Sequence, residues 1–177
     1  MVAVESNTLL ASKDPEIRQN AARMLGLLGD ERAVEPLIEA LSSELHMIAA
    51  GAAAGALGRL RDPRSVPVLL KRLAVCDPDT VQTVVAGIVR MGDAGREELL
   101  KALRSDDKHT RRNAAHILAR VGLPVADPLI GFLEGDDPGL KQLAAWALAQ
   151  MSGEFFFGQD VEKWRKWLAD KRRGGVN

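Results

Sequence analysis

One set of residues returns along this chain at intervals of about thirty positions, and a repeat of that length dictates the architecture before any other feature is weighed. The first copy runs Asp14-Pro15-Glu16-Ile17-Arg18, then Ala21-Ala22, Leu25-Gly26, Gly29-Asp30 and Ala33-Val34-Glu35-Pro36-Leu37-Ile38-Glu39-Ala40-Leu41. Later copies keep Ala53-Ala54, Leu57-Gly58, Asp62 and Leu69-Leu70, then Asp77-Pro78, Val84-Val85, Met91-Gly92-Asp93 and Leu99-Leu100. The pattern continues with Ala114-Ala115, Val121-Gly122 and Leu129-Ile130, and with Asp137-Pro138, Ala144-Ala145 and Leu148. Four full copies and a fifth, modified one are expected at 9–43, 44–75, 76–105, 106–135 and 136–170, forming one domain over 1–177 with a frayed basic tail at 171–177.

Each copy reads as two helices. Asp followed by Pro is an N-cap with proline in the first helical position, where its missing N–H is no loss. Ile17, Ala21, Met24, Leu25 and Leu28 then recur at helical spacing, and Gly29, Gly92 and Gly122 stand where a glycine closes a helix. Val34, Leu37, Ile38 and Leu41 form the stripe of a shorter second helix. A pair this short cannot bury its apolar stripe alone, so the copies must stack. The expected fold is all-α, a right-handed solenoid of about five helix pairs. The second copy starts irregularly, with His46-Met47 in place of Asp-Pro and Ala50 in place of the arginine.

Residues 14–41 carry the motif D-P-x-x-R-x-x-A-A-x-x-L-G-x-x-G-D-x-R-A-V-x-P-L-I-x-A-L almost complete. On that motif the chain resembles the HEAT-repeat family, in particular its short phycobilisome-lyase HEAT-like type. The resemblance covers roughly residues 9–170. It also extends to the end of the chain, where Gly153 to Asp160 with Phe155-Phe156-Phe157 precede Trp164 and Trp167, a terminal loop-and-helix segment common in such proteins. Phe156, Trp164 and Trp167 are expected to form a structural cap over the last repeat, which has no neighbour to cover it.

The remaining composition narrows the chemistry. Lys+Arg and Asp+Glu both number 24, so the net charge is zero, and no apolar run is long enough to cross a bilayer. The opening MVAVESNTLL has no basic start and suggests no secretory signal, and the single Cys76 suggests a reducing, cytoplasmic setting. Three histidines, His46, His109 and His116, are too dispersed for a metal site. The His-Glu dipeptides that mark one metal enzyme of the family, deoxyhypusine hydroxylase, are missing, since Met47, Thr110 and Ile117 follow them. Neither a G-x-S-x-G motif nor a phosphate loop occurs. Gly51-Ala52-Ala53-Ala54-Gly55 falls inside a helical repeat and reads as close packing. Asp106-Asp107 and Asp136-Asp137 read as helix caps, and Asp14/Arg18 and Asp107/Arg111 as acid–base pairs one turn apart. Asp30, Asp62 and Asp93 recur in the turn between helices and would hold the repeats in register. No catalytic residue, metal or cofactor is expected.

In HEAT solenoids the second helices line the concave surface, so their outward positions are the candidate protein-binding residues. These are Glu35, Glu39, Lys71, Arg72, Glu97, Lys101, Asp127 and Phe132, an acidic row beside a largely basic one with a single large aromatic. The preferred reading is a non-catalytic protein–protein interaction scaffold with an unidentified protein partner, a monomer or weak oligomer free of membranes. Two alternatives remain: a nucleic-acid-binding HEAT protein, disfavoured by the neutral charge, and an accessory subunit of a tetrapyrrole (bilin) lyase, implied by the resemblance alone.

Overall fold

Aspartate caps open the first helix of every repeat but the second. In the computed structural model, which describes residues 8–44, 46–73 and 76–174, Asp14 accepts from the Glu16 amide at 2.8 Å and opens α1 (Pro15–Leu28). Asp77, Asp107 and Asp137 act likewise for α5 (Pro78–Arg90), α7 (Lys108–Val121) and α9 (Pro138–Ser152). Asp30 and Asp62 cap one-turn 3-10 helices (Glu31–Ala33 and Pro63–Ser65) that lead into α2 (Val34–Ser43) and α4 (Val66–Arg72). The remaining helices are α3 (Met47–Leu60), α6 (Asp93–Ala102), α8 (Ala126–Glu134) and α10 (Val161–Gly174). Ten helices and no strand are found among the described residues, so the fold is all-α, built of helix pairs as the repeat requires.

The irregular second start has its own solution. His46 offers no side-chain cap to α3; instead Glu44 Oε1 accepts the His46 amide at 2.8 Å. The same carboxylate, almost wholly buried, receives Arg18 side-on, with Nε–Oε2 at 2.6 Å and Nη2–Oε1 at 2.9 Å. Arg18 therefore does not pair with Asp14 as its spacing suggests. Its Nη1 turns back to the Ser12 and Lys13 carbonyls at 2.8 and 3.1 Å. Arg111 repeats that geometry on the Ser105 and Asp106 carbonyls at 2.7 and 3.0 Å. In both copies the motif arginine ties down the chain that enters the helix, because carbonyls there have no helical partner. Arg61 closes α3 in the left-handed region (φ 57°), where Gly29 closes α1.

Two compact units can be described along the chain, Met1–Glu98 and Leu99–Asn177. Side-chain burial in stacked repeats is shared only between neighbours, so no single core has to run through the chain. In the first unit α1 packs on α3 and α3 on α5, with α2 and α4 as a second layer. The helix contacts are made by backbone: a Cβ on Gly26 would lie 2.7 Å from Ala56 Cα, one on Gly58 would lie 2.9 Å from Val84 Cα, and one on Gly87 would collide with the Gly58 backbone. Leu25, Leu37, Leu57, Leu69 and Ile88 fill the space between the layers.

In the second unit α9 packs on α7 and α8, and α10 on α8. Trp164 is wholly buried, its Nε1 donating to the Gly158 carbonyl at 2.9 Å, with Phe157 (4.9 Å) and Trp167 (5.8 Å) edge-on to its ring. Trp164 and Trp167 thus lie inside, but Phe156 does not: it is 97% exposed, and Phe157 takes its expected place. In the tight turn before α10 only one ring of three consecutive phenylalanines reaches inward. The basic tail is not frayed as far as it is described, since α10 continues to Gly174 with Arg172 paired to Asp127 and Arg173 to Asp170. Its last residues, 175–177, lie outside the described residues.

Candidate functional site

The second helices carry the rows singled out from sequence, and their side chains have different commitments. On α2, Glu35 and Glu39 are exposed. Glu35 Oε1 accepts from Arg64 Nη1 at 2.7 Å, while the rest of that guanidinium grips Asp62 and holds its carboxyl below the usual range. Asp30 is held at about 2 by the corresponding Arg32. Asp30 and Asp62 thus work locally with an arginine two residues on, Asp93 lies in α6 itself and pairs with Arg96, and Arg64 adds one link to the preceding repeat.

Lys71 is exposed on α4, but Arg72 is half-buried. Its Nη2 donates to the Ser42 and Glu44 carbonyls at 2.9 and 3.0 Å, where α2 ends. A cation at a helix C-terminus satisfies orphan carbonyls and opposes the negative end of the dipole, so Arg72 joins the second repeat to the first. Glu97 is exposed on the part of α6 that belongs to the first unit.

Within the second unit, Lys101 is exposed on α6, and Asp127, in the first turn of α8, is paired with Arg172. Phe132 lies half-exposed near the end of α8, and the guanidinium carbon of Arg104 stands 4.6 Å from its ring centroid. Arg104 was not singled out from sequence; it follows α6 by two residues, and only the fold brings it over the ring.

The first helices present something that the rows of charge do not reveal. In the first unit a groove of about 500 Å³ runs along α3, floored by Met47, Gly51 and Gly55 and ending at Arg59. Gln19 and Arg23 of α1 form one wall, and Thr80 and Thr83 of α5 the other. Gly51 and Gly55 do not serve close packing, contrary to expectation. A Cβ on Gly51 would meet only Asp77 Oδ2 at 3.5 Å and Thr80 Oγ1 at 3.7 Å, and one on Gly55 only Arg59 Nη1 at 3.8 Å. Packing is the work of Gly26, Gly58 and Gly87. Two glycines four apart on a helix, with Arg59 four further on, were the available signal in the sequence.

The other chemistry-bearing residues are occupied structurally. Cys76 is half-buried, its thiol pushed up by burial and by the nearby Asp77, so it stays protonated. His46 and His109 are exposed, and among the described residues no group of three or more His, Cys, Asp and Glu could hold a metal ion. Among the same residues no helix is long and apolar enough to cross a membrane.

The HEAT-repeat family profile matches residues 6–87 and 76–149. The chain belongs to the HEAT-repeat family. It is 41% identical over 61 residues, 34% of its own length, to a HEAT repeat-containing taxis protein of Halobacterium salinarum. It is 36% identical over 92 residues, 48% of its length, to the bilin biosynthesis protein PecE of Mastigocladus laminosus. It spans only 15% and 34% of the lengths of these two relatives. Among solved structures, the complex of CpcE and CpcF of phycocyanin lyase from Nostoc shares 24% identity at a TM-score of 0.50, over 86% of this chain and 65% of that one. A chain from a study of microtubule plus-end tracking by XMAP215, CLIP-170 and EB1 shares 15% at 0.55, over 94% and 89%. Both structural likenesses concern the HEAT-type fold.

Proposed function

We propose that this HEAT chain is a non-catalytic protein-binding module that engages its partner through second-helix side chains. The reading is carried by Arg104 and Phe132: a guanidinium is already placed on a half-exposed aromatic ring before any partner arrives. Arginine and aromatic side chains are the types that dominate binding energy at interfaces, and a pair ordered in advance loses little conformational freedom on binding. Lys101 on α6 and Asp127 on α8 supply charge in the same unit, and Glu35, Glu39 and Lys71 do so in the first. Arg72 contributes to the scaffold rather than to contact. Asp77, Asp107 and Asp137 are held as helix caps by backbone amides and are not free for acid–base chemistry. Polyanion binding along these rows is disfavoured, because carboxylates alternate with the lysines.

A second reading, an accessory role in bilin attachment, is favoured by the match to PecE alone. Affinity purification of the intact chain with mass spectrometry separates the two. A stoichiometric protein partner lost on Phe132→Ala together with Arg104→Ala, with thermal unfolding unchanged, supports the first. Visible absorbance retained on the purified complex supports the second. Loss of neither partner nor stability on the double substitution would refute the second-helix assignment.

A further inference from the structure

The groove along α3 has a composition that neither packing nor the second-helix rows explain. Glycine in a helix interior is unfavourable relative to alanine, and α3 carries Gly51 and Gly55, both little exposed themselves, at positions where an added methyl group would meet only side-chain atoms and no neighbouring backbone. The two open a recess between α1 and α5 that side chains would otherwise fill. At one end Met47 and Ile48 stand 67% and 60% exposed, and among the described residues no side chain covers them. At the other end Arg23 and Arg59 reach in, and neither makes an ion pair among the described residues. Arg59 Nη1 lies across the floor, 3.6 Å from where a Cβ on Gly26 would sit and 3.8 Å from one on Gly55. Beyond it, Arg61 and Arg90 border an adjoining depression of about 410 Å³, extending the same positive end.

We propose that this groove is a second binding surface, independent of the second-helix rows, that takes an amphipathic helix of a partner protein with a carboxylate at one end. The choice follows from shape and charge. Met47 to Arg59 spans about 18 Å of helix axis, the length of some three turns of a bound helix and too long for a compact metabolite. A floor of glycines four apart lets a second helix approach closely, while its apolar side chains cover Met47 and Ile48. The carboxylate would complete Arg23 and Arg59 with charge-assisted hydrogen bonds. A nucleic-acid strand fits less well, since Asp77 and Asp79 line the groove near the start of α5 and would repel a polyanion laid along its whole length.

The test is a display selection of helical peptides three turns long on the intact chain, counter-selected against Gly55→Leu, which fills the recess. The proposal expects enriched peptides that combine an apolar face with Asp or Glu near one end. It also expects at least about tenfold weaker binding to Gly55→Leu and to Arg59→Gln, with the melting temperatures of both variants maintained. Selection that yields no binders sensitive to Gly55→Leu, or binders without an acidic residue, overturns it. So does a single-stranded DNA that displaces the peptides at physiological salt, since the groove would then be a polyanion site. A clear loss of thermal stability in Gly55→Ala would also overturn it, because the glycine would then be there for packing.

Discussion

The residue that follows the small pair of each first helix differs sharply between the two units. In the first unit it is Arg23, Gly55 and Ala86; in the second it is His116 and Trp146. His116 and Trp146 put rings at the register where Gly55 has no side chain in the first unit, with the two rings 4.4 Å apart and edge-on at 64°. Four places earlier than Gly55 and His116, the contrast is Gly51 against Arg112. One repeat motif thus supports two treatments of the same face, recessed in one unit and covered with large side chains in the other. The close helix contacts of the first unit depend on Gly26, Gly58 and Gly87, and the second unit relies instead on bulky side chains that end in the buried Trp164. What repeats is the scaffold, and what departs from the repeat is where function is to be sought.

The sharpest way to break this comparison is to remove the large anchor of the second unit. Trp164→Ala should destabilise that unit by about 3–5 kcal/mol, since it empties a fully buried site and leaves the Gly158 carbonyl unpaired. Amide hydrogen exchange should show lost protection in α8, α9 and α10 with α1, α3 and α5 unchanged. Equal losses throughout would mean that the two units unfold together.

A smaller effect belongs to the first unit. Arg18→Ala should lower stability there by about 2 kcal/mol, because it removes the side-on guanidinium from the almost buried Glu44 carboxylate. A denaturant titration read on exchange in α1 and α3 checks this, and an effect near zero would make the Arg18–Glu44 pair ornamental.

Arg61→Gly should act in the opposite direction, raising stability by about 1 kcal/mol, since Arg61 closes α3 at a positive φ that glycine adopts without strain. If the midpoint of urea unfolding falls instead, the arginine supports the fold through its side chain.

The second unit should also be the more sensitive to mild acid. His116 is exposed, but desolvation of its ring and the nearby Arg112 guanidinium lower its pKa, so the folded state favours neutral imidazole. Its contribution is complete above the unfolded value of about 6.5 and is lost as pH falls through that value toward the lower folded one. Melting of the wild type should therefore drop further between neutral pH and pH about 5 than melting of His116→Gln. Parallel curves would remove His116 from the account. Asp30, held at about 2, loses its contribution only in stronger acid and leaves this window clear.

The sequence discloses the scaffold well because its signals are local. Asp-Pro caps, paired alanines and closing glycines each specify their own turn of helix, and the structure places Asp14, Asp77, Asp107 and Asp137 as caps. Partners chosen across space were not legible in the same way. Arg18 lies one turn from Asp14 yet takes Glu44, since a side-on guanidinium–carboxylate pair outcompetes an aspartate already held by the Glu16 amide. Phe157 rather than Phe156 faces inward because the turn before α10 sets the direction of each ring. The difference between Gly58 and Gly55 cannot be read from composition, because both are glycines within one helix. Only the distance to the neighbouring backbone separates a residue that packing demands from one that leaves space.

That distinction is best tested by thermal denaturation of Gly87→Ala and Gly55→Ala side by side. Both substitutions gain the same helix propensity, so a difference in melting reports the surroundings alone. Gly87→Ala should lose about 2 kcal/mol or more as its methyl group is driven into the Gly58 backbone, while Gly55→Ala should hold or gain up to about 1 kcal/mol. Equal destabilisation of the two would contradict the account, because the α3 groove would then be a by-product of tight packing rather than a surface left open for a partner.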